Sequence, residues 1–178
     1  MNFTTRRVGV GLAAALIIGS GGTAAAQVAS SEFYRLSTMF RGPSLALDVF
    51  NGGPQDNMTH LAPVGNFSGQ FWRFRPTGDG WHRLTTQFRG DRLCLDVFNG
   101  GAFNDMPHLA PCANVTGQFW RVSVEKEGFF RLTTKFRGSQ MCLDVINGGP
   151  QNDQPRLEPC GDFSGQYWRI APTGRAAP

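Results

Sequence analysis

Leu47-Asp48-Val49-Phe50-Asn51-Gly52-Gly53 returns letter for letter at Leu95–Gly101 and, with one change, as Leu143-Asp144-Val145-Ile146-Asn147-Gly148-Gly149. The step is 48 residues both times. Leu-Asp-Val reads as a short strand, and Asn-Gly tolerates positive φ at both central positions of a tight turn. A strand and turn written three times at a fixed interval is the mark of a repeat architecture, and it governs every other reading of the chain.

Aligned at this spacing, the chain divides into units 31–78, 79–126 and 127–174, with eighteen positions identical in all three. Each unit divides into about four strands. In the first these are Phe33–Phe40, Leu45–Phe50, a brief one around His60–Ala62, and one starting at Gln70 and running through Trp72 to Phe74. Aromatic, Val and Leu runs punctuated by Gly and Pro give an all-β expectation of twelve strands. Three units stacked as a solenoid would leave open edges, whereas closure into a pseudo-threefold barrel removes them. Gln70-Phe71-Trp72 recurs as Gln118-Phe119-Trp120 and Gln166-Tyr167-Trp168. The expectation is that Trp72, Trp120 and Trp168 anchor the core, while Gln70, Gln118 and Gln166 satisfy backbone groups of a buried turn.

The first 26 residues stand apart from this pattern. Arg6 and Arg7 precede a short apolar run and then Ala24-Ala25-Ala26, the order expected of a signal peptide. The remainder, 27–178, reads as a single domain, and a chain of that size can bury roughly 70% of its unfolded surface. Loss of the two leader arginines takes the formal charge from +4 to +2. With no block of like charges, nucleic acid is not an expected partner. No later segment is apolar for long enough to span a bilayer, so no membrane insertion is expected. The expected location is secreted or periplasmic.

Four cysteines, Cys94, Cys112, Cys142 and Cys160, form two pairs spaced 18 apart at matching places in units two and three. Three pairings are possible. The first unit has Ala46 and Val64 there, so both cysteines are missing together, which points to Cys94–Cys112 and Cys142–Cys160. No His or third Cys stands at metal-ligand spacing. His60, His82 and His108 accompany no nucleophile motif, so neither catalysis nor a metal or cofactor is expected.

The series Cys94-Leu95-Asp96-Val97, Pro111-Cys112 and Gln118-Phe119-Trp120 resembles the ricin B-type lectin family, whose β-trefoil carries three QxW repeats. The resemblance spans the region after the leader. It implies a non-catalytic, sugar-binding protein with up to three shallow sites. By position, Asp48, Asp96 and Asp144 would accept hydrogen bonds from sugar hydroxyls, with Asn51, Asn99 and Asn147 beside them. His60, His108 and Arg156 match the polar third-strand position. The family's usual aromatic before Pro-Cys is Ala62, Ala110 and Glu158 here, and its usual Asn before Gln is Gly69, Gly117 and Gly165. Phe103 offers a replacement platform in unit two, with Phe50 and Phe98 as further candidates. Asp48 and its copies have a second reading, as caps of the Asn-Gly-Gly turn. The repeated Phe40-Arg41-Gly42 is a candidate second surface. The expected partner is a carbohydrate or glycoconjugate, bound by a monomer. The rival is a protein-binding or structural exported trefoil, such as a protease inhibitor or an envelope-associated factor.

Overall fold

A computed structural model describes residues 28–126 and 128–178. The leader expected over residues 1–26 lies outside the described residues. Among the described residues, twelve strands follow in order: β1 Glu32–Thr38, β2 Leu45–Val49, β3 Thr59–Pro63, β4 Trp72–Gly78, β5 Trp81–Thr86, β6 Leu93–Val97, β7 Pro107–Pro111, β8 Trp120–Lys126, β9 Phe129–Thr134, β10 Gly138–Val145, β11 Pro155–Pro159 and β12 Trp168–Ala176.

Six of them close on themselves. Strand β1 pairs with β12 and β4, β5 with β4 and β8, and β9 with β8 and β12. This ring leaves no unpaired edge in the barrel, which is how a three-unit repeat avoids exposing one. The remaining strands make the hairpins β2–β3, β6–β7 and β10–β11. The hairpins lock to one another through one backbone bond per unit: Leu61 N to Asp153 O at 2.7 Å, Leu109 N to Asn57 O at 2.8 Å, and Leu157 N to Asp105 O at 2.9 Å. The three residues whose carbonyls accept those bonds, Asn57, Asp105 and Asp153, all sit at φ between 65° and 67°. The fold is an all-β trefoil of three four-stranded repeats.

Alternation builds the core. Trp72 and Phe74, Trp120 and Val122, and Trp168 and Ile170 are inward residues two apart on their strands. The three tryptophans are fully buried, and each indole Nε1 donates to the carbonyl of Leu47, Leu95 or Leu143 at 2.7–2.9 Å. A large ring can be buried at low cost because its one polar atom has a partner. The disulfides are Cys94–Cys112 and Cys142–Cys160, each with Cα atoms 5.0 Å apart, tying β6 and β10 to the segment after the third strand of the unit.

Several boundaries differ from the sequence reading: β2 stops at Val49 rather than Phe50, β4 runs on to Gly78 past Phe74, and two further differences redirect the chain. The first strand ends at Thr38 rather than Phe40, because Gly42 N bonds to Thr38 O and Arg41 N to Thr38 Oγ1, which turns the chain. The fourth strand begins at Trp72, since Ser68–Gln70 form a 3-10 turn closed by Gln70 N on Phe67 O. Gln70 and Trp72 therefore do not share a strand face. The turn lets the Gln70 amide fold back beneath the chain instead of pointing along β4.

Candidate functional site

Each QxW glutamine is fully bonded. Gln70 Nε2 donates to Pro63 O at 2.9 Å and to Asp48 Oδ2 at 3.0 Å, and its Oε1 accepts from Gly65 N at 3.0 Å. Gln118 binds Pro111 O, Asp96 Oδ2 and Ala113 N in the same way, and Gln166 binds Pro159 O, Asp144 Oδ2 and Gly161 N. The glutamine thus joins the end of β3 to the carboxylate of β2. Asp48 is 9% exposed, and its second oxygen accepts from Val49 N at 2.8 Å. A carboxylate has about four acceptor positions. Two are used by the protein, and two remain.

The glycine before each glutamine follows from this arrangement. A Cβ at Gly69 would lie 2.1 Å from Asp48 Oδ1, at Gly117 2.2 Å from Asp96 Oδ1, and at Gly165 2.0 Å from Asp144 Oδ1. The 3-10 turn rests directly on the carboxylate. A side chain at that position and this placement of the aspartate exclude one another.

The alternative role of the aspartate, capping the Asn-Gly-Gly turn, belongs to other residues. Gly52 N donates to Asp56 Oδ1, Gly100 N to Asn104 Oδ1 and Gly148 N to Asn152 Oδ1, all at 2.6 Å. Asn51, Asn99 and Asn147 are left exposed beside the turn.

A shallow cleft of about 370 Å³ opens over this network in the first unit. Asp48 and Gly69 form its floor, Asn51 and Asn66 its polar edge, and Phe67 and Phe88 its apolar walls. Phe88 comes from the second unit, so the cleft spans a unit boundary. A matching cleft of about 360 Å³ in the third unit uses Asp144, Gly165, Asn147, Asp162, Phe163 and Phe40. Phe67 and Phe163 are 58% and 59% exposed, far more than an aromatic with only a packing role requires. The second unit carries Val115 at that position.

The walls have their own sequence coupling. The Phe67 ring folds back over Gly65, where a Cβ would meet it at 2.3 Å, and Phe163 covers Gly161 at 2.4 Å. The second unit replaces both partners at once, with Ala113 and Val115. Sequence reasoning missed these phenylalanines. The signal was an apolar residue inside an otherwise polar loop, next to a glycine that varies with it.

The other expected contacts stand elsewhere. His60 faces Asp48 across the β2–β3 ladder, but its ring stacks on Phe50 at 3.8 Å. His108 stacks on Phe98 at 3.7 Å, and Phe103 packs on Phe98 at 5.8 Å. These rings form two separate packed sets, Phe50–His60 in the first unit and Phe98–Phe103–His108 in the second, and neither lines a cleft described above. Burial pushes His60 and His108 below the ordinary histidine value, while Asp48 and Asp153, or Asp96, pull weakly in the opposite direction. Arg156 lies opposite Asp144 and approaches Glu158 at 3.4 Å.

The Phe-Arg-Gly turns divide their two side chains between tasks. Arg41 bonds to Asp153, Arg89 to Asp56 and Arg137 to Asp105, each clasping the preceding unit around the ring. Each guanidinium also lies 4.1–4.2 Å from the ring of its own Phe40, Phe88 or Phe136. The arginines are structural clasps, and Phe40 and Phe88 serve as cleft walls.

Comparisons with known proteins agree with this architecture. The sequence profile described as ricin-type beta-trefoil lectin domain matches residues 32–168. No curated protein matches the chain. Among solved structures, the designed threefold-symmetric protein ThreeFoil superposes with a TM-score of 0.65 at 24% identity, over 78% of this chain and 97% of its own. The Macrolepiota procera ricin B-like lectin, solved with lactose, gives 0.62 at 19% identity, over 82% of this chain and 99% of its own. The Polyporus squamosus lectin, bound to an influenza-binding epitope, gives 0.64 at 13% identity, over 81% of this chain and 50% of its own.

Proposed function

The chain belongs to the ricin-type beta-trefoil lectin domain family, and from that premise we propose that it is an exported, non-catalytic carbohydrate-binding protein whose working sites are the first-unit and third-unit clefts. The observation that carries this reading is the pairing, in both clefts, of a bonded but unsaturated carboxylate with an exposed phenylalanine. Sugars present hydroxyl donors on one edge and C–H groups on the face of the ring. Asp48 or Asp144 supplies acceptors for the former, and Phe67 or Phe163 an apolar surface for the latter.

The side chains divide the work simply. Gln70 and Gln166 hold the carboxylate in place, so no reorganisation accompanies ligand entry. Asn51 and Asn147 offer donor and acceptor atoms at the rim. Phe88 and Phe40 close the far wall. Each cleft is shallow, so single-site affinity is weak and a ligand with two arms gains by avidity. The two disulfides suit an oxidising compartment. Among the described residues, no helix is long and apolar enough to cross a membrane.

The test is a glycan array probed with the oxidised protein and, in parallel, with a Phe67→Ala/Phe163→Ala variant. Both side chains are exposed, so the variant keeps its fold. Defined glycan signals that vanish in the variant support the reading. Signals that survive unchanged reject these clefts as the sites, and a blank array for the folded protein rejects the carbohydrate reading.

A further inference from the structure

A second set of symmetry-related places lies on the barrel wall, where the aromatic of each QxW motif meets two cations. Phe71 has Arg35 at 5.5 Å and Arg175 at 4.5 Å from its ring centre. Phe119 has Arg83 at 5.2 Å and Lys135 at 5.6 Å. Tyr167 has Arg131 at 5.3 Å and Lys126 at 4.1 Å. Arg35, Arg83 and Arg131 each donate an Nη2 bond to the carbonyl of Gly65, Ala113 or Gly161, Arg131 also reaches the Tyr167 hydroxyl at 3.3 Å, and each leaves a buried Nε without a partner.

The three places differ in the charge that answers the cations. At the Tyr167 place, where the second and third units meet, Asp162 bonds to Lys126 at 2.8 Å and to the Tyr167 hydroxyl, and Glu125 approaches Arg131 at 3.7 Å. Two carboxylates meet two cations there. The Phe71 place has Asn66 where the Tyr167 place has Asp162, and Thr173, one 48-residue step on, where it has Glu125, while its two arginines remain. Glu32, the carboxylate near that edge, turns to the Gly174 amide. The second place has Asp79 on its lining. A cleft of about 350 Å³, lined by Arg35, Arg175, Asn66, Phe71 and Thr173, is therefore cationic with no carboxylate on its wall. Asn66 also lines the Asp48 cleft, so the two are neighbours.

We propose that the Arg35–Arg175 cleft is an anion subsite that receives the carboxylate or sulfate of an acidic saccharide, whose adjoining ring occupies the Asp48 cleft. Asp162 of the third unit shows the position that an oxyanion takes between these groups, supplied there by the chain itself. Arginine suits the role because its guanidinium stacks on the Phe71 face and still presents N–H groups at its edge. The proposal rests on the carbohydrate-binding reading of the first-unit cleft.

The experiment follows the arginine Nε–H resonances by NMR while D-galacturonate, galactose 6-sulfate, neutral D-galactose and inorganic sulfate are added in turn. Both acidic sugars are expected to bind about fivefold tighter than galactose and to shift Arg35 and Arg175. Asn66→Asp/Thr173→Glu imports the carboxylates of the Tyr167 place and is expected to abolish that preference in a variant whose cooperative melting shows that it is folded. Equal affinity for acidic and neutral sugars, or a preference that survives in the variant, would overturn the subsite. If no sugar binds but sulfate still moves Arg35 and Arg175, the carbohydrate reading fails and the anion site stands. No shift from any of the four probes rejects the anion site itself.

Discussion

Gln70 Nε2 and Asp48 Oδ2 are 3.0 Å apart, and Gln118–Asp96 and Gln166–Asp144 repeat the bond at the same distance. This contact ties the middle of β2 to the turn before β4, and it fixes the carboxylate under the cleft. Replacing Gln70 with Ala leaves Gly65 N, Pro63 O and one oxygen of Asp48 short of a partner in a buried place. The expected loss is about 3 kcal/mol in urea unfolding of the oxidised protein. A loss under about 0.5 kcal/mol would show that water replaces the amide freely.

Gly69→Ala tests the other side of the same carboxylate. Its new Cβ would fall 2.1 Å from Asp48 Oδ1 and 3.3 Å from Val49 N. The change is expected to cost about 2 kcal/mol or more, since either the turn or the aspartate must move. Asp48→Ala removes the first obstacle. In a double-mutant cycle the glycine substitution then costs clearly less, giving a coupling of about 1 kcal/mol or more. Simple additivity of the two changes would contradict the contact.

The Gly65–Phe67 and Gly161–Phe163 pairs predict how the second unit could gain an aromatic wall. Val115→Phe alone places a ring where the Ala113 methyl stands, because the equivalent rings lie over glycine. It is expected to lower the melting temperature. Ala113→Gly/Val115→Phe is expected to recover most of that loss and to present a third exposed ring, read as added glycan-array signal. A double variant no better folded than the single one would refute the coupling.

Burial holds His60, His82 and His108 neutral in the fold, below the ordinary histidine value of 6.5. Between the folded and unfolded values the unfolded chain binds more protons, so stability rises with pH. The contribution is full above about 6.5 and is lost as pH falls through the lower, folded values. Urea midpoints measured from pH 7 down to pH 5 should therefore decline. His60→Gln/His108→Gln should flatten that decline, leaving the part due to His82. An equally steep decline in the variant would place its origin in other groups.

Much of the architecture was legible from one seven-residue phrase. The 48-residue step gave the repeat, the missing cysteine pair of unit one gave the disulfide partners, and QxW gave the tryptophan anchors. The boundary at Gln70 was not legible, because Ser-Gly-Gln-Phe-Trp has the alternation of a strand. Only the closing of a 3-10 turn over Asp48 separates Gln70 from β4. The candidate site was half legible. Asp48, Asn51, Asp144 and Asn147 line the clefts, while His60 stacks on Phe50 and His108 and Phe103 pack on Phe98, each set within its own hairpin. Phe88 and Phe40 come from the neighbouring unit, and no reading within one repeat could have placed them.

The measurement that tests the central claim most directly is a ¹H–¹⁵N correlation spectrum of the side-chain amides, recorded while a glycan selected on the array is added. The account predicts that Asn51, Asn66 and Asn147 shift together, that Asn99 in the second unit stays still, and that Phe67→Ala/Phe163→Ala abolishes the shifts. Shifts at Asn99 with Asn51 and Asn147 unmoved would contradict it, because binding would then occur in the unit without the aromatic wall.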